Sequence, residues 1–169
     1  MEIRWLIRAD MDAVLRIERE SFEEPWSEKE FLELLRERNH IGMVGVVNRK
    51  VVAFMIYDLG KKSLELKTLA VEVELRRSGI GRAMIDKLLS KLSTQRRTKI
   101  EAFVRERNLP AQLFFSRLGF NCEESVPDLY EGYDEAAYRF VYSIKPVFKN
   151  RISEYLSEPE NGYLRDTET

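Results

Sequence analysis

Redox-active and metal-binding side chains are scarce in this chain of 169 residues, which holds one cysteine, Cys122, and one histidine, His40. A single cysteine excludes a disulfide framework and suits a reducing compartment, so the cytoplasm is the expected location. A single histidine excludes a multi-histidine metal site, and no metal is expected. With His40 alone, a Ser-His-Asp triad is not expected either. No run of 18 apolar residues and no secretory h-region occurs, so neither a membrane span nor a cleaved leader is expected. An excess of one charge is lacking too: 28 Lys and Arg stand against 29 Asp and Glu, a net charge of −1. No bulk electrostatic case therefore exists for nucleic acid or a membrane surface as partner. The basic run Arg96-Arg97-Thr98-Lys99 reads as a solvated helix end, where cations suit the dipole. No internal repeat or low-complexity block is visible, and the length suits one domain with a sizeable core.

What is present is a strand that turns through glycines into a helix. The apolar stretch Leu64-Glu65-Leu66-Lys67-Thr68-Leu69-Ala70-Val71 is followed by Arg76-Arg77-Ser78-Gly79-Ile80-Gly81-Arg82. A helical pattern then runs through Ile80, Ala83, Met84, Leu88 and Leu92. The first N–H groups of such a helix lack intrahelical partners and the macrodipole adds positive potential, so the turn is an anion trap. Gly79 and Gly81 allow close approach of a phosphate, and Arg76, Arg77 and Arg82 add charge around it. A pyrophosphate is the expected ligand. The spacing fits neither a P-loop, whose Lys-Ser/Thr is absent, nor a dinucleotide fingerprint, whose third glycine would stand where Met84 does.

The pattern Arg-x-x-Gly-x-Gly after a Leu-Ala-Val strand resembles the acetyl-CoA loop of the GNAT N-acetyltransferases. A second element strengthens the resemblance: Val104-Arg105-Glu106-Arg107-Asn108, then Phe114-Phe115-Ser116-Arg117-Leu118-Gly119-Phe120. It is similar to the family's strand–Asn–helix–Gly-Phe element, whose Asn and helix line the other side of the CoA arm. By itself it reads as a strand, an Asn108 cap, a short helix and Gly119 ending it. The resemblance covers about residues 2–145 and is nearest the RimI-like branch, which acetylates protein N-terminal amines. It implies an α/β (α+β) GNAT fold: a mixed, mainly antiparallel sheet of about seven strands, splayed between strands 4 and 5, with about four helices.

Read along the chain, residues 2–7 form a first strand and Asp10 caps a helix to about residue 20. Ser27 and Glu30 form a capping box, with Trp26 and Phe31 as its hydrophobic staple. Residues 41–47 and 51–58 make a hairpin around Asn48-Arg49-Lys50, followed by a strand at 63–71. A helix at 79–94, a strand at 99–105, a helix at 109–118 and closing strands at 120–126 and 136–145 complete one domain, residues 1–146. Residues 147–169 are expected to be a partly disordered extension.

The resemblance assigns roles. Acetyl-CoA is the expected co-substrate, held by Leu69, Ala70 and Val71, by the loop and helix start from Arg76 to Arg82 (Ser78 and Ile80 included), and by Asn108 and Phe115. The Val71 N–H is the expected oxyanion donor. The loop Ser21-Phe22-Glu23-Glu24-Pro25-Trp26 resembles the one RimI-like enzymes place beside the peptide, making Glu24 and Trp26 candidate substrate contacts. Tyr130 is a third, because RimI-like enzymes hold the peptide backbone with a Tyr-Tyr pair whose first member is here Leu129. Two departures stand out. The strand position of the RimI-like base Glu is Phe103, and the position of its Tyr acid is Phe115. Glu65, eleven residues before Arg76, matches the base spacing of histone acetyltransferases and is the first replacement. Glu101 is the second and Glu24 the third. Alternation puts Glu65, Lys67 and Leu69 on one face of the strand and Leu64, Leu66 and Thr68 on the other; a Glu65–Lys67 salt bridge is the competing explanation of Glu65.

An α-amine with a pKa of about 7.7–8.0 is roughly one third neutral at pH 7.5, whereas a lysine near 10.4 is neutral in about one molecule in 10³. A site short of a base therefore favours α-amines. The expected acceptor is a protein N-terminus or peptide amine, with ribosomal proteins among the candidates. A small amine (polyamine, amino acid or antibiotic) and a catalytically weak acyl-CoA-binding module stay open as alternatives.

Overall fold

The computed structural model describes residues 1–127, 129 and 135–144. Tyr130 and the 147–169 extension lie outside the described residues. In chain order the elements are β1 (Glu2–Trp5), α1 (Met11–Ser21), α2 (Glu28–Arg36), β2 (His40–Val47), β3 (Lys50–Leu59), β4 (Ser63–Val71), α3 (Ile80–Leu89), β5 (Lys99–Arg105), α4 (Leu109–Arg117), β6 (Asn121–Val126) and β7 (Ala137–Ser143). One sheet runs β1-β2-β3-β4-β5-β7-β6; β4 and β5 are parallel and every other pair is antiparallel.

Local chemistry explains most boundaries. The β2–β3 hairpin turns through Asn48 and Arg49, both left-handed at φ 49° and 64°, the conformation that matches the strands' twist. At the start of α2 the capping box forms: Glu30 N donates to Ser27 Oγ at 3.3 Å and Ser27 N donates to Glu30 Oε2 at 2.7 Å. The staple forms as well, with Trp26 edge-on to Phe31 at 5.4 Å between ring centroids. Asp10 departs from expectation. It makes no side-chain cap to α1; it is 6% exposed, accepts two bonds from Arg4 at 2.7 and 2.8 Å and one from Ile7 N at 3.0 Å. The Arg4 guanidinium holds its carboxyl below the usual range. An ion pair to β1 displaced the cap. Helix α3 ends five residues sooner than its apolar pattern implies, because Lys91 and Leu92 donate to Leu88 and Leu89 in a tightened final turn.

Two cores sandwich the sheet. Val14 and Ile17 of α1 and Phe31 of α2 pack against Val44, Phe54, Ile56 and Ala70. Met84, Ile85 and Leu88 of α3 and Phe115 of α4 pack on the opposite face against Met55, Tyr57, Leu64, Leu66 and Ile100. Both layers are needed because a parallel strand pair buries apolar residues on both sides.

The central strands then part. β4 and β5 pair from Ser63↔Lys99 only as far as Leu66↔Ala102, leaving 67–71 and 103–105 without each other. The register against β3 also slips here, since Tyr57 pairs with Leu66 while Ile56 pairs with Thr68. Lys67 is thus the extra residue of a bulge. The bulge overturns the simple alternation expected for β4: Leu69 and Val71 join the Leu64–Leu66 core, while Ala70 lies in the opposite one.

Candidate active site

A cleft of about 620 Å³ enters the sheet where β4 and β5 diverge. Leu66, Lys67, Thr68 and Leu69 form one lip, Ala102 to Arg105 the other. Asn108, Ala111, Phe114 and Phe115 close it on the α4 side. Glu18, Phe22, Glu23, Glu24 and Trp26 close it on the α1–α2 side.

The lip of β4 turns backbone groups toward the splay, where β5 no longer pairs with it. Glu72 N donates to Val52 O at 2.8 Å, so it faces β3. By strand alternation Ala70 faces β3 as well, and the N–H and C=O of Leu69 and Val71 face the splay. Of the three residues expected to meet the CoA arm through the backbone, Ala70 is therefore turned away. The Val71 carbonyl confirms the direction, since it accepts from Arg76 Nε at 3.1 Å.

The anion trap is assembled as expected at the start of α3. Gly79 is left-handed at φ 90° with open space where a Cβ would sit, and Ala83 N makes the first helical bond, to Gly79 O at 3.0 Å. The N–H groups of Ile80, Gly81 and Arg82 thus precede the helix ladder. A Cβ on Gly81 would stand 3.3 Å from the Phe114 ring and 3.7 Å from Val71 Cγ2, so β4, α3 and α4 converge there. Arg77 and Arg82 are exposed beside this turn, Arg82 with Asp86 at 3.7 Å. Ser78 gives its hydroxyl to Leu75 O. Arg76 differs from expectation: besides Val71 O it donates to Ser21 Oγ at 2.9 Å, tying the loop to α1. These groups fit a CoA pyrophosphate and pantetheine arm: a cradle of N–H groups, two exposed cations and a strand edge that β5 does not cover. Asn108 caps α4 as expected, accepting from Ala111 N at 3.1 Å. Phe115 is 6% exposed within an aromatic cluster, its ring 5.2 Å from those of Phe114 and Phe120.

The carboxylates are placed differently from the sequence reading. Glu65 and Glu101 sit opposite each other within the paired part of β4 and β5, short of the splay, and neither lines the cleft. Glu65 accepts from Lys67 Nζ at 2.7 Å. Glu101 lies 3.5 Å from Lys99 Nζ and 3.7 Å from an Arg139 nitrogen. Glu24 and Trp26 do line the cleft.

Sequence reasoning missed two further carboxylates. Glu18 is 3% exposed; its Oε1 accepts from Trp26 N at 3.0 Å and its Oε2 is buried without a partner. Burial pushes this carboxyl above the usual range. A signal existed, because Glu18 falls four residues after Val14 and seven after Met11, on the core face of α1. Glu135, its side chain 2% exposed, pairs with Arg105, which also meets Glu23 at 3.2 Å. Arg105 thereby links the α1–α2 loop to the segment entering β7. Sequence alone gave no sign of that pairing. Among the described residues no cluster of three potential metal ligands occurs, and no helix is long and apolar enough to cross a membrane.

Residues 11–120 match the acetyltransferase (GNAT) family. The chain is 31% identical over 112 residues to the Escherichia coli [ribosomal protein bS18]-alanine N-acetyltransferase, a match spanning 66% of this chain and 75% of that one. The crystal structure of the E. coli ribosomal-protein-S18-alanine N-acetyltransferase superposes with a TM-score of 0.75 at 25% identity, covering 96% of this chain and 99% of that one. Ard1 from Thermoplasma volcanium superposes at 0.76 with 27% identity, covering 85% and 97%. The fold, with its splayed parallel pair, matches that of these neighbours, and the chain belongs to the GNAT family as an acetyl-CoA-dependent N-acetyltransferase of the RimI-like branch.

Proposed function

We propose that the acceptor is the N-terminal α-amine of a protein. The observation that carries this reading is the lining of the cleft where the amine must arrive: the β5 side chain there is Phe103, a hydrocarbon, and the strand carboxylates Glu65 and Glu101 lie outside. With no carboxylate on the parted ends of β4 and β5, proton removal falls to the α1–α2 side of the cleft, an arrangement better suited to an amine already partly neutral near pH 7.5 than to a lysine. The E. coli relative, named for alanine acetylation on ribosomal protein bS18, supports a protein substrate, and a ribosomal protein is a candidate. Like the single cysteine, such a substrate fits a cytoplasmic enzyme.

Acetyl-CoA supplies the activated acetyl group. The N–H groups of Ile80, Gly81 and Arg82, with Arg77 and Arg82, hold the pyrophosphate; Leu69 and Val71 pair with the pantetheine arm through their backbones. The Val71 N–H donates to the thioester carbonyl oxygen and stabilises the negative charge that grows there. The α-amine attacks the carbonyl carbon, the N–C bond forms and the C–S bond breaks. The sulfur leaves as thiolate and takes its proton from water. Of the three carboxylates expected as base, Glu24 alone lines the cleft, and we assign it the proton released by the nitrogen, received directly or through one water. Phe115 offers no acid.

Initial rates with acetyl-CoA and either a short peptide or free diamines test this reading. Turnover of the peptide alone is expected; turnover of diamines alone overturns it. A polyamine acceptor is the second reading, favoured by Glu18, Glu23 and Glu24 in one wall of the cleft.

A further inference from the structure

The guanidinium of Arg76 joins the two elements between which the reaction takes place, β4 and α1. The short 3-10 turn Val73–Leu75 folds the chain back on the end of β4, so Arg76 reaches a residue five positions earlier. Its Nε donates to Val71 O at 3.1 Å and its Nη2 to Ser21 Oγ at 2.9 Å. Val71 carries the N–H assigned above to the thioester oxygen. The next N–H along the chain, that of Glu72, donates to Val52 O at 2.8 Å. The Val71–Glu72 peptide group is thus fixed by β3 at its nitrogen and by Arg76 at its oxygen. Ser21 is the last residue of α1 and itself lines the cleft. Phe22, Glu23 and Glu24 follow it directly into the wall on the acceptor side. A second tie runs alongside, since Arg16 of α1 meets Glu72 at 2.7 Å.

The two half-sites therefore meet in one side chain. On the reading above, the thioester lies along β4 and the acceptor arrives from the α1–α2 side. Their separation is set where the end of α1 stands beside the end of β4. We infer that Arg76 is a positioning residue for acyl transfer: it holds the start of the acceptor wall against the end of β4, and so fixes the attacking nitrogen relative to the thioester carbonyl. Magnitudes separate this role from a merely structural one. Both Arg76 bonds are exposed, and contacts of that kind add little to global stability. A displacement of about 1 Å between reacting groups, in contrast, can cost about 10²-fold in rate. Loss of the tie should therefore show in turnover before it shows in unfolding. Arg77 and Arg82 stay beside the glycine turn for the pyrophosphate, so acetyl-CoA affinity should hold. The inference rests on the transfer site of the previous section and not on which amine attacks.

The test is a double-mutant cycle on Arg76→Ala and Ser21→Ala in the full chain, read with acetyl-CoA and a short peptide, or with a diamine where that is the acceptor turned over. Arg76→Ala should lower kcat by about tenfold or more and Ser21→Ala by about threefold, the double variant being no slower than Arg76→Ala alone. Calorimetry should find acetyl-CoA affinity within about twofold of wild type in all three, and thermal denaturation should barely move. Arg76→Lys keeps the charge without the planar fork, and its kcat should stay closer to that of Arg76→Ala than to wild type. Weakened acetyl-CoA binding in Arg76→Ala, with Ser21→Ala at wild-type kcat, would return Arg76 to the pyrophosphate and overturn the inference. Losses that multiply in the double variant would overturn it too. Ser21→Ala deletes a single oxygen, and keeps the test open if Arg76→Ala fails to fold, because wild-type kcat in it alone contradicts the tie. Diamines acetylated with every peptide refused would overturn the α-amine reading and leave Arg76 to be judged by the same cycle.

Discussion

Glu18 Oε1 accepts the backbone N–H of Trp26 at 3.0 Å, which fastens the end of α1 to the loop forming one wall of the cleft. The bond needs an acceptor and no charge. Burial raises the Glu18 pKa, so the native state binds a proton more readily than the unfolded chain. This group's contribution is therefore fully present below the unfolded pKa and is lost as pH rises through the folded one.

Glu18→Gln should accordingly be as stable as wild type or more stable at pH 7, with its advantage shrinking toward pH 4. Glu18→Ala removes the acceptor and should cost about 1–3 kcal/mol, while raising KM for peptide more than KM for acetyl-CoA. Thermal denaturation across pH and steady-state kinetics check both. A Gln variant as damaged as the Ala variant would mean that the charge matters.

Arg105 offers a contrast between two partners. Arg105→Ala removes the side-chain partner of the buried Glu135, which keeps the Arg107 N–H at 3.4 Å, and should cost about 1–3 kcal/mol. The Glu23 carboxylate is exposed, so Glu23→Gln should cost less than about 1 kcal/mol. Denaturant titration of both variants decides whether Arg105 acts chiefly on the β7 side or on the loop.

At Gly81 a Cβ meets Phe114 at 3.3 Å, and a β-branched side chain would reach further toward the anion trap. Gly81→Val should weaken acetyl-CoA binding by about tenfold or more. Calorimetry on the folded variant measures it. Unchanged affinity would remove the turn from the CoA site.

Glu24→Gln should lower kcat/KM for peptide by about 10²-fold near neutral pH, with the deficit narrowing above about pH 8 as the α-amine becomes neutral unaided. Glu65→Gln and Glu101→Gln should stay within about threefold of wild type, because both carboxylates stand in the closed part of the strand pair. A pH–rate profile of the three variants separates them, and loss confined to Glu65→Gln would return the base to β4.

The sheet and the glycine turn were legible because they rest on local chemistry. Asn48-Arg49 makes a hairpin, Ser27 and Glu30 make a capping box, and glycine at 79 permits φ 90°. What depended on long-range pairing was not legible. The bulge at Lys67 is a relation between β4 and β3, and it reverses which face Leu69 occupies. The strand carboxylates were assigned by spacing along one strand, yet the site is fixed by where two strands part. Glu65 falls one pair short of that point. The place of Asp10 before a helix implies a cap, but a bidentate arginine six residues earlier outcompetes it.

The claim that an α-amine is the acceptor is tested most directly with one peptide that carries a free N-terminus and a single internal lysine. After incubation with acetyl-CoA, tandem mass spectrometry locates the acetyl group. The account predicts one acetyl, on the N-terminal nitrogen, at a rate that rises with pH until the α-amine is neutral. An acetyl found on the lysine, with the N-terminus unmodified, would contradict it.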